Sequence, residues 1–334
     1  MAMEFSELAG IAGAHAEARA IQVALKLGMF EALAERALDA GALAAAIGCD
    51  PGATALLANA AAALGLLEKR AGSYGLSAVS RRFLIASAPE YLGGLILFDE
   101  AIFPLWGRLE NSIRTGSPAR TPDMYQRRPE ETRLFIRAMD SLVRARGDAP
   151  WVAAHLDLSA VRAIADVGGG PGTYLIEFLR RYPALRGAIL DLPATLAVAR
   201  EILDERGAEV RARIELVEFD YRHQEMPPGF DAVFLSNIIH SEDARTNRAL
   251  MHTCYRGLGQ GGIVMIKDHV MNADLTEPAA GAVFSLYLLL TTAGRDYSFE
   301  EISGWLSEAG FAGISRQPLP SPPFSSTVVT ARKA

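Results

Sequence analysis

The sequence contains few cysteines and no long uncharged apolar run. Its only two cysteines, Cys49 and Cys254, lie far apart and form no CxxC pair, which argues against a disulfide scaffold or a structural zinc site and fits a reducing compartment. The N-terminal segment carries acidic residues where a secretory signal needs a basic start and an apolar run. No stretch approaches the roughly 18 apolar residues of a membrane helix. We therefore expect a cytoplasmic protein with no membrane partner.

The chain also lacks an excess of basic residues. It has 33 Lys+Arg against 39 Asp+Glu, for a net charge of −6, whereas nucleic-acid-binding domains are usually basic. No Walker sequence GxxxxGK[ST] occurs, and we find no internal repeat or flexible linker. At 334 residues, half of them hydrophobic, the chain is long enough for two domains with a sizeable core.

Residues 1–98 predict a helical domain of the winged-helix type. Asp39 is placed to cap one helix, and Asp50-Pro51 is a cap followed by proline at the first helical position. The segment LLEKRAGSYGLS then alternates apolar and polar residues around Gly72, as a hairpin does. Winged helices bind DNA or form dimers, but the candidate recognition helix ATALLANAAAALG has no Lys or Arg to contact phosphate. We therefore predict a dimerisation domain.

Residues 99–334 predict a Rossmann-like α/β domain. After Ser159, β-rich runs alternate with helical stretches: AIADV, GAILDL, IELVEF, AVFLS and IVMIK. This alternation predicts a doubly wound parallel sheet with helices on both faces. The last two runs, from Phe311 and from Ser325, follow each other without a clear helix between them, which indicates a closing antiparallel pair.

The most informative string joins the first of these strands to a helix through a glycine turn. Asp166 ends the strand, and the glycines that follow are Gly168, Gly169, Gly170 and Gly172. Such glycines let the backbone pass close to a ligand. A dinucleotide fingerprint starting at Gly168 needs glycine at position 173, where this chain has Thr173. A carboxylate at the strand end suits an ammonium group better than a pyrophosphate.

Two further acidic residues follow the next two strands. Asp191 lies 191 − 168 = 23 residues after Gly168, close to the roughly 20 residues expected of a carboxylate that binds ribose hydroxyls. The third strand ends in Asp220-Tyr221, which suits an adenine through its amino group and its ring face. Three acids at the carboxyl ends of three successive strands predict a nucleoside site at that edge of the sheet.

With these motifs, the sequence resembles the S-adenosylmethionine-dependent O-methyltransferases of the plant caffeate and isoflavone type and their bacterial natural-product relatives. The matching strings occur in order over about residues 130–315: DVGGGPG, DLP, EFDY, SNIIH, LGQGGIVMIKD and the stretch up to SEAGF. The resemblance implies the cofactor S-adenosylmethionine, the product S-adenosylhomocysteine, a small-molecule acceptor and a homodimer formed through the N-terminal domain.

The resemblance also implies roles for individual residues. Asp166, Gly168 and Gly170 would surround the methionine part of the cofactor, Asp191 would hold the ribose, and Asp220 with Tyr221 would flank the adenine. The helical elements of residues 99–150 would contribute to the acceptor pocket. The full set of predicted cofactor-binding residues is Asp166, Gly168, Gly169, Gly170, Asp191, Leu192, Asp220, Tyr221 and Ser236.

His240 is the candidate general base for methyl transfer. It follows the fourth strand, at the same edge as the cofactor acids, and histidine titrates near neutrality. The family flanks its histidine with two carboxylates, and Asp268, at the end of the fifth strand, matches the first. Phe299 stands at the expected position of the second, with Glu300 one residue later, so that either Glu300 serves or one carboxylate is missing.

Other functions remain open from the sequence. His240, Asp268 and His269 could form a metal site, but neighbouring residues on a strand point to opposite faces, so we predict no metal. We expect transfer of a methyl group to a hydroxyl of an aromatic or polyketide-like metabolite. C- or N-methylation, a non-methylating reaction on the same cofactor (decarboxylation, hydroxylation or rearrangement) and a DNA-binding regulator are the alternatives.

Overall fold

The computed structural model describes residues 3–320 and 326–334 of the chain. It divides into two compact units, the first extending to Ile102 and the second beginning at Phe103. The division falls within the helix Gly93–Trp106, which also contains the boundary expected from the sequence, after residue 98.

The first unit is mainly helical with a small sheet. The predicted caps are confirmed, because Asp39 accepts a hydrogen bond from the Ala42 N–H and Asp50 accepts one from the Ala53 N–H, both at 2.8 Å. Its elements in chain order are α1 (Phe5–Lys26), α2 (Met29–Ala32), β1 (Leu38–Asp39), α3 (Ala40–Ile47), α4 (Pro51–Ala63), β2 (Leu67–Arg70), β3 (Ser73–Leu76), α5 (Ala78–Phe83) and α6 (Gly93–Trp106).

The predicted hairpin is also confirmed. Strands β2 and β3 pair in antiparallel fashion, and β1 pairs with the other edge of β3. The two turn residues, Ala71 and Gly72, both have positive φ (47° and 83°), as two-residue hairpin turns require. Phe30, Leu33 and Tyr74 are buried in the core that the helices and this sheet share.

Helix α1 presents exposed apolar side chains along its first turns. Phe5 is 84% exposed, Leu8 58% and Ile11 64%. Contiguous apolar side chains on a surface commonly mark a protein–protein contact. This face of the first unit is therefore suited to burial by another chain.

No single helix among the described residues is long and apolar enough to cross a membrane. The pair α3 and α4 meets the length and composition requirements only when taken together, and it bends by 105° at its break. Leu43 of α3 and Ala58 of α4 are fully buried in the core of the first unit.

The second unit alternates strands and helices, as the sequence predicts. Its elements in chain order are α7 (Leu109–Thr115), α8 (Pro129–Arg146), α9 (Asp148–His155), β4 (Ala163–Val167), α10 (Thr173–Arg181), β5 (Arg186–Asp191), α11 (Pro193–Arg206), β6 (Ile214–Glu218), β7 (Phe230–Ser236), α12 (Ala244–Gly257), β8 (Leu258–Asp268), β9 (Val270–Met271), α13 (Ala279–Thr291), β10 (Tyr297–Ser298), α14 (Phe299–Ala309), β11 (Phe311–Pro318) and β12 (Thr327–Lys333).

Seven of these strands form one sheet in the order β11-β12-β8-β7-β4-β5-β6. Strands β4 to β8 pair in parallel, while β11 and β12 form an antiparallel pair against β8. The predicted doubly wound sheet and its closing pair are therefore confirmed; the start of the last run at Ser325 lies outside the described residues. The strand order reverses at β4, and ligands of such sheets bind beyond the carboxyl ends of the strands at this point.

The two faces of the sheet carry separate hydrophobic cores. On β4, Ile164 packs into one core with Phe178 of α10, and Ala165 packs into the other with Leu250 of α12. Alternate residues of the strand thus serve opposite faces. The resulting three-layer arrangement buries both faces of the strands whose carboxyl ends form this edge.

Candidate active site

The glycine turn after β4 is tightly packed at Gly168 and Gly169. Gly168 and Gly170 have positive φ (64° and 54°), a conformation that glycine adopts readily and other residues resist. A Cβ atom at Gly168 would lie 2.3 Å from Ile238 Cδ1, and one at Gly169 would lie 2.7 Å from Asp166 Cγ. The turn can therefore bring its bare backbone against a ligand at the carboxyl end of β4.

Asp191, the last residue of β5, is tied to this turn. Its carboxylate accepts hydrogen bonds from the N–H of Gly170 at 2.8 Å and from the N–H of Leu192 at 2.7 Å. Burial raises the pKa of Asp191 to about 6, although these bonds oppose the rise. The structure thus brings together Asp191, Leu192 and the glycine turn, as the sequence predicts.

Asp166 is a buried acid without a hydrogen-bond partner. It is 1% exposed, and neither carboxylate oxygen has a partner among the described residues. Burial, together with the nearby Asp191, raises the pKa of Asp166 to about 8. An unpartnered acid in a low-dielectric site favours a cationic ligand, because a positive charge recovers the lost solvation. We call the glycine turn (residues 168–172) together with Asp166 and Asp191 the cofactor cradle. This cradle fits the ammonium and sulfonium groups of S-adenosylmethionine.

Asp220 and Tyr221 lie just beyond β6, where their contacts are largely with their own loop and with Glu242. Asp220 accepts a hydrogen bond from the Arg222 N–H at 3.0 Å, and its other oxygen lies 2.7 Å from His223 Nδ1. The Tyr221 hydroxyl donates to buried Glu242 at 2.7 Å. Burial and the facing carboxylate raise the pKa of Tyr221 well above its ordinary value.

Ser236 is the last residue of β7, the strand that precedes the turn bearing His240. It is paired with Lys267 of β8 and is only partly buried. The serine therefore lies at the same edge of the sheet as Asp166 and Asp191.

His240 lies in a short 3-10 turn, Ile239–Ser241, that follows β7. Its Nδ1 is 2.6 Å from Oδ1 of Asp268, which ends the neighbouring strand β8. Burial alone would lower the pKa of His240, but the Asp268 carboxylate outweighs burial and raises it. The same pairing lowers the pKa of Asp268 despite its burial. The predicted pair of His240 and Asp268 is therefore present at the sheet edge.

A second carboxylate does face His240, but it is not the one that the sequence indicated. Asp296 Oδ1 lies 3.9 Å from His240 Nδ1, and its side chain is fully buried. Glu300 is exposed on the first turn of α14, and Phe299 packs beneath the Arg316 guanidinium. The expectation that Phe299 occupies the second position and that Glu300 could serve in its place is thus wrong.

Gly294 explains how Asp296 reaches the site. A Cβ atom at position 294 would lie 2.2 Å from the backbone oxygen of His240 and 2.6 Å from that of Glu242. The loop before β10 therefore packs directly on the turn that carries His240. A hydrogen bond of 2.6 Å from the Tyr297 hydroxyl to the Glu242 backbone oxygen holds the two segments together.

His269 joins the same cluster. Strand β8 ends at Asp268, so strand alternation no longer separates the two side chains, and His269 Nδ1 lies 3.4 Å from Asp296 Oδ2. Asp268 and His269 therefore do not face opposite ways, and the expectation from strand alternation is wrong. One nitrogen or oxygen atom from each of the four residues His240, Asp268, His269 and Asp296 lies within 4.8 Å of the others. Each histidine Nδ1 nevertheless faces a carboxylate, so the cluster consists of two histidine–carboxylate pairs.

Aromatic side chains of α13 border these pairs. The Phe284 ring meets His240 and His269 edge-on, with centroids 5.4 and 5.1 Å away. Tyr287 lies next to Phe284 and shares a hydrogen bond of 2.8 Å with the Tyr125 hydroxyl. A flat apolar acceptor could pack against these aromatic side chains.

Comparison with known proteins adds two family matches. A model of the O-methyltransferase domain matches residues 115–312, and a model of the O-methyltransferase dimerisation domain matches residues 10–86. Together the two matches cover most of both structural units.

Individual relatives match over nearly the full length. The chain is 35% identical to the 3-hydroxy-5-methyl-1-naphthoate 3-O-methyltransferase of Streptomyces sahachiroi, over 90% of this chain and 88% of the relative. It is 30% identical to the tetracenomycin polyketide synthesis 8-O-methyl transferase of Streptomyces glaucescens, over 89% and 88%. The solved structure of PigF with SAH matches with a TM-score of 0.88 and 27% identity, covering 99% of this chain and all of PigF.

Proposed function

Because the chain belongs to the S-adenosylmethionine-dependent O-methyltransferase family, we propose that it methylates a hydroxyl group of a small aromatic or polyketide-like metabolite, with His240 as the general base. The observation that carries this proposal is the His240–Asp268 pair at the same sheet edge as Asp166 and Asp191. The naphthoate and polyketide relatives support the acceptor class by analogy.

We assign the cofactor to the cradle formed by the glycine turn and the acids beside it. S-adenosylmethionine is the methyl donor of the family, and it supplies an electrophilic methyl group on a sulfonium sulfur. Asp191 would hold the ribose hydroxyls while keeping the Gly170 N–H in place, and Asp166 would face the cationic end. Asp220 and Tyr221 would border the adenine.

His240 acts on the acceptor hydroxyl. Asp268 holds the proton on Nδ1, which leaves Nε2 as the nitrogen that accepts the proton from the hydroxyl. The imidazolium that forms faces two carboxylates, Asp268 and Asp296, in a buried site where such charge stabilisation is strong. The oxygen, freed of its proton, is then a competent nucleophile for in-line attack on the methyl group.

The first unit supplies the dimerisation domain of the family. We propose that the protein is a homodimer and that residues 1–98 form its interface, while residues 99–334 carry catalysis, with acceptor-pocket elements in 99–150. The exposed apolar side chains of α1 support this assignment.

The proposal is tested by methyl transfer to a panel of phenols and polyketide hydroxyls, using labelled S-adenosylmethionine. We expect His240→Ala to lower kcat by about 10²–10⁴-fold, the usual contribution of a general base, while S-adenosylhomocysteine still binds. His252→Ala, at an exposed position of α12, is the matched control. Unchanged turnover in His240→Ala would remove His240 from this role, and a product whose mass shows no added methyl group would favour the non-methylating alternative.

A further inference from the structure

His269 is not used by the mechanism above, although its surroundings match those of His240. Each residue is 8% exposed, each has its Nδ1 facing Asp296, and each ring packs at a steep angle to the Phe284 ring. Burial of an ionisable ring is costly unless a partner compensates it. A carboxylate beside each ring provides such a partner. The site therefore contains two imidazoles whose Nδ1 atoms both face buried carboxylates, with His240 hydrogen-bonded to Asp268 at 2.6 Å and His269 3.4 Å from Asp296.

The Nε2 atoms of both rings remain available to a ligand. His269 Nδ1 is buried beside Asp296, whereas neither Nε2 is a buried unpaired atom and neither forms a hydrogen bond among the described residues. Because Nδ1 and Nε2 lie on opposite sides of an imidazole, both Nε2 atoms point away from the shared carboxylate. The small exposed area of each ring thus includes its free nitrogen.

The spacing of the rings limits what can bridge them. Their centroids are 6.2 Å apart and their planes are inclined by 34°. Two vicinal oxygens of a catechol are separated by only about 2.7 Å, the length of one O–H···O hydrogen bond. Oxygens in a 1,3 relation on one ring, or on fused rings, are farther apart and therefore match the separation of the two imidazole rings better.

We propose that His269 is an acceptor-binding residue, and that the acceptor is an arene with a second oxygen substituent in a 1,3 or more distant relation to the hydroxyl that is methylated. His240 contacts the reacting hydroxyl, and His269 Nε2 contacts the second oxygen. With Nδ1 protonated beside Asp296, Nε2 accepts from a hydroxyl, and as an imidazolium balanced by Asp296 it donates to a carbonyl or carboxylate. Asp296 holds the His269 ring in position from its Nδ1 side. This proposal rests on the proposed function, because it places the reacting hydroxyl at His240.

The experiment measures binding of four naphthalene probes to the complex with S-adenosylhomocysteine by calorimetry. The probes are 2-naphthol, 2,3-dihydroxynaphthalene, 1,3-dihydroxynaphthalene and 3-hydroxy-1-naphthoate. We expect the two 1,3 probes to bind about tenfold more tightly than 2-naphthol, as one added hydrogen bond allows. The stronger of these two probes identifies the second oxygen as hydroxyl or carboxylate.

Variants then assign the preference to His269. His269→Phe keeps a ring but removes both nitrogens, so the tenfold preference for the 1,3 probes should disappear. His269→Gln keeps a polar end and should restore part of it, and His252→Phe makes the same change at an exposed position. S-adenosylhomocysteine binding by each variant shows that it is folded. If His269→Phe does not bind it, His269→Gln is compared with the wild type instead, and its preference for the 1,3 probes should be reduced.

Several results would overturn the proposal. They are equal affinity for all four probes, a preference for the 2,3 isomer, or a preference for the 1,3 probes that survives in His269→Phe and His269→Gln. Methyl transfer is measured separately on the same probes and on the phenol and polyketide panel. If no hydroxyl compound is methylated, the proposed function fails, whereas methylation without the 1,3 preference contradicts only the role of His269.

Discussion

Replacing Asp268 with asparagine tests the proposed catalytic pair directly. Asp268 Oδ1 accepts from His240 and also from the His269 backbone N–H at 2.9 Å, and an asparagine oxygen can accept both. The substitution therefore removes mainly the negative charge. A hydrogen bond to a charged group contributes about 1.5–3 kcal/mol and a neutral one about 0.5–1.5, so the imidazolium loses about 1–1.5 kcal/mol. We expect kcat to fall about five- to thirteenfold.

The pH profile should change in a definite direction. The general base is the neutral imidazole, so kcat/KM rises as pH increases through the pKa of His240. Asp268 raises that pKa in the wild type, and removing its charge lowers it. The ascending limb of the Asp268→Asn profile should therefore move to lower pH, while its plateau lies below that of the wild type.

Matched variants separate this effect from a general disturbance of the site. Asp268→Ala removes the acceptor as well as the charge and should cost more, about 10–150-fold in kcat. Asp296→Asn acts across 3.9 Å, beyond hydrogen-bond distance, and should cost less than Asp268→Asn. Transfer of labelled methyl groups across a pH series, with S-adenosylhomocysteine affinity as the folding control, provides the assay. A limb that moves to higher pH, or a plateau equal to that of the wild type, would refute the reasoning.

Two further predictions concern the cofactor cradle. Asp191→Ala should weaken S-adenosylhomocysteine binding by about tenfold or more, equivalent to 1.4 kcal/mol. The reason is that it removes the proposed ribose acceptor and leaves the Gly170 N–H without its partner. Wild-type affinity in calorimetry would contradict this role. Asp166, with a pKa of about 8, should release its proton when a cationic ligand binds near pH 7. The binding enthalpy of S-adenosylmethionine should therefore depend on the ionisation enthalpy of the buffer, and this dependence should vanish in Asp166→Asn.

The sequence predicts which residues meet at the carboxyl end of β4, because each of them is placed by its own strand. Asp166 and Asp191 lie in the last two residues of β4 and β5, and the glycine turn follows β4 directly. The strands themselves are apparent from their β-rich composition. His240 and Asp268 could be paired for the same reason, since β7 and β8 are neighbours in a parallel sheet. Where position along a strand determines position in space, the sequence is sufficient.

The remaining part of the site depends on contacts between distant loops. Asp296 belongs to no strand of the main sheet and reaches His240 only because Gly294 allows two loops to touch. Glu300 was predicted as the second carboxylate because it lies near the expected position in the sequence. Acids are, however, common in the first turn of a helix, where they interact favourably with the helix dipole. The orientation of His269 depends on the end of β8 at Asp268, one residue before it. Strand boundaries are the least predictable feature of a sequence.

The packing at Gly294 also determines where this enzyme can acquire a new acceptor range. Any side chain at that position would push apart the loops that bear His240 and Asp296, so a library randomised there should return glycine whichever acceptor is selected. Positions 284 and 287 of α13 are under no such restriction, because Phe284 and Tyr287 border the site with their side chains and not with their backbone. Variation in acceptor choice is therefore expected at these two positions, while position 294 remains glycine.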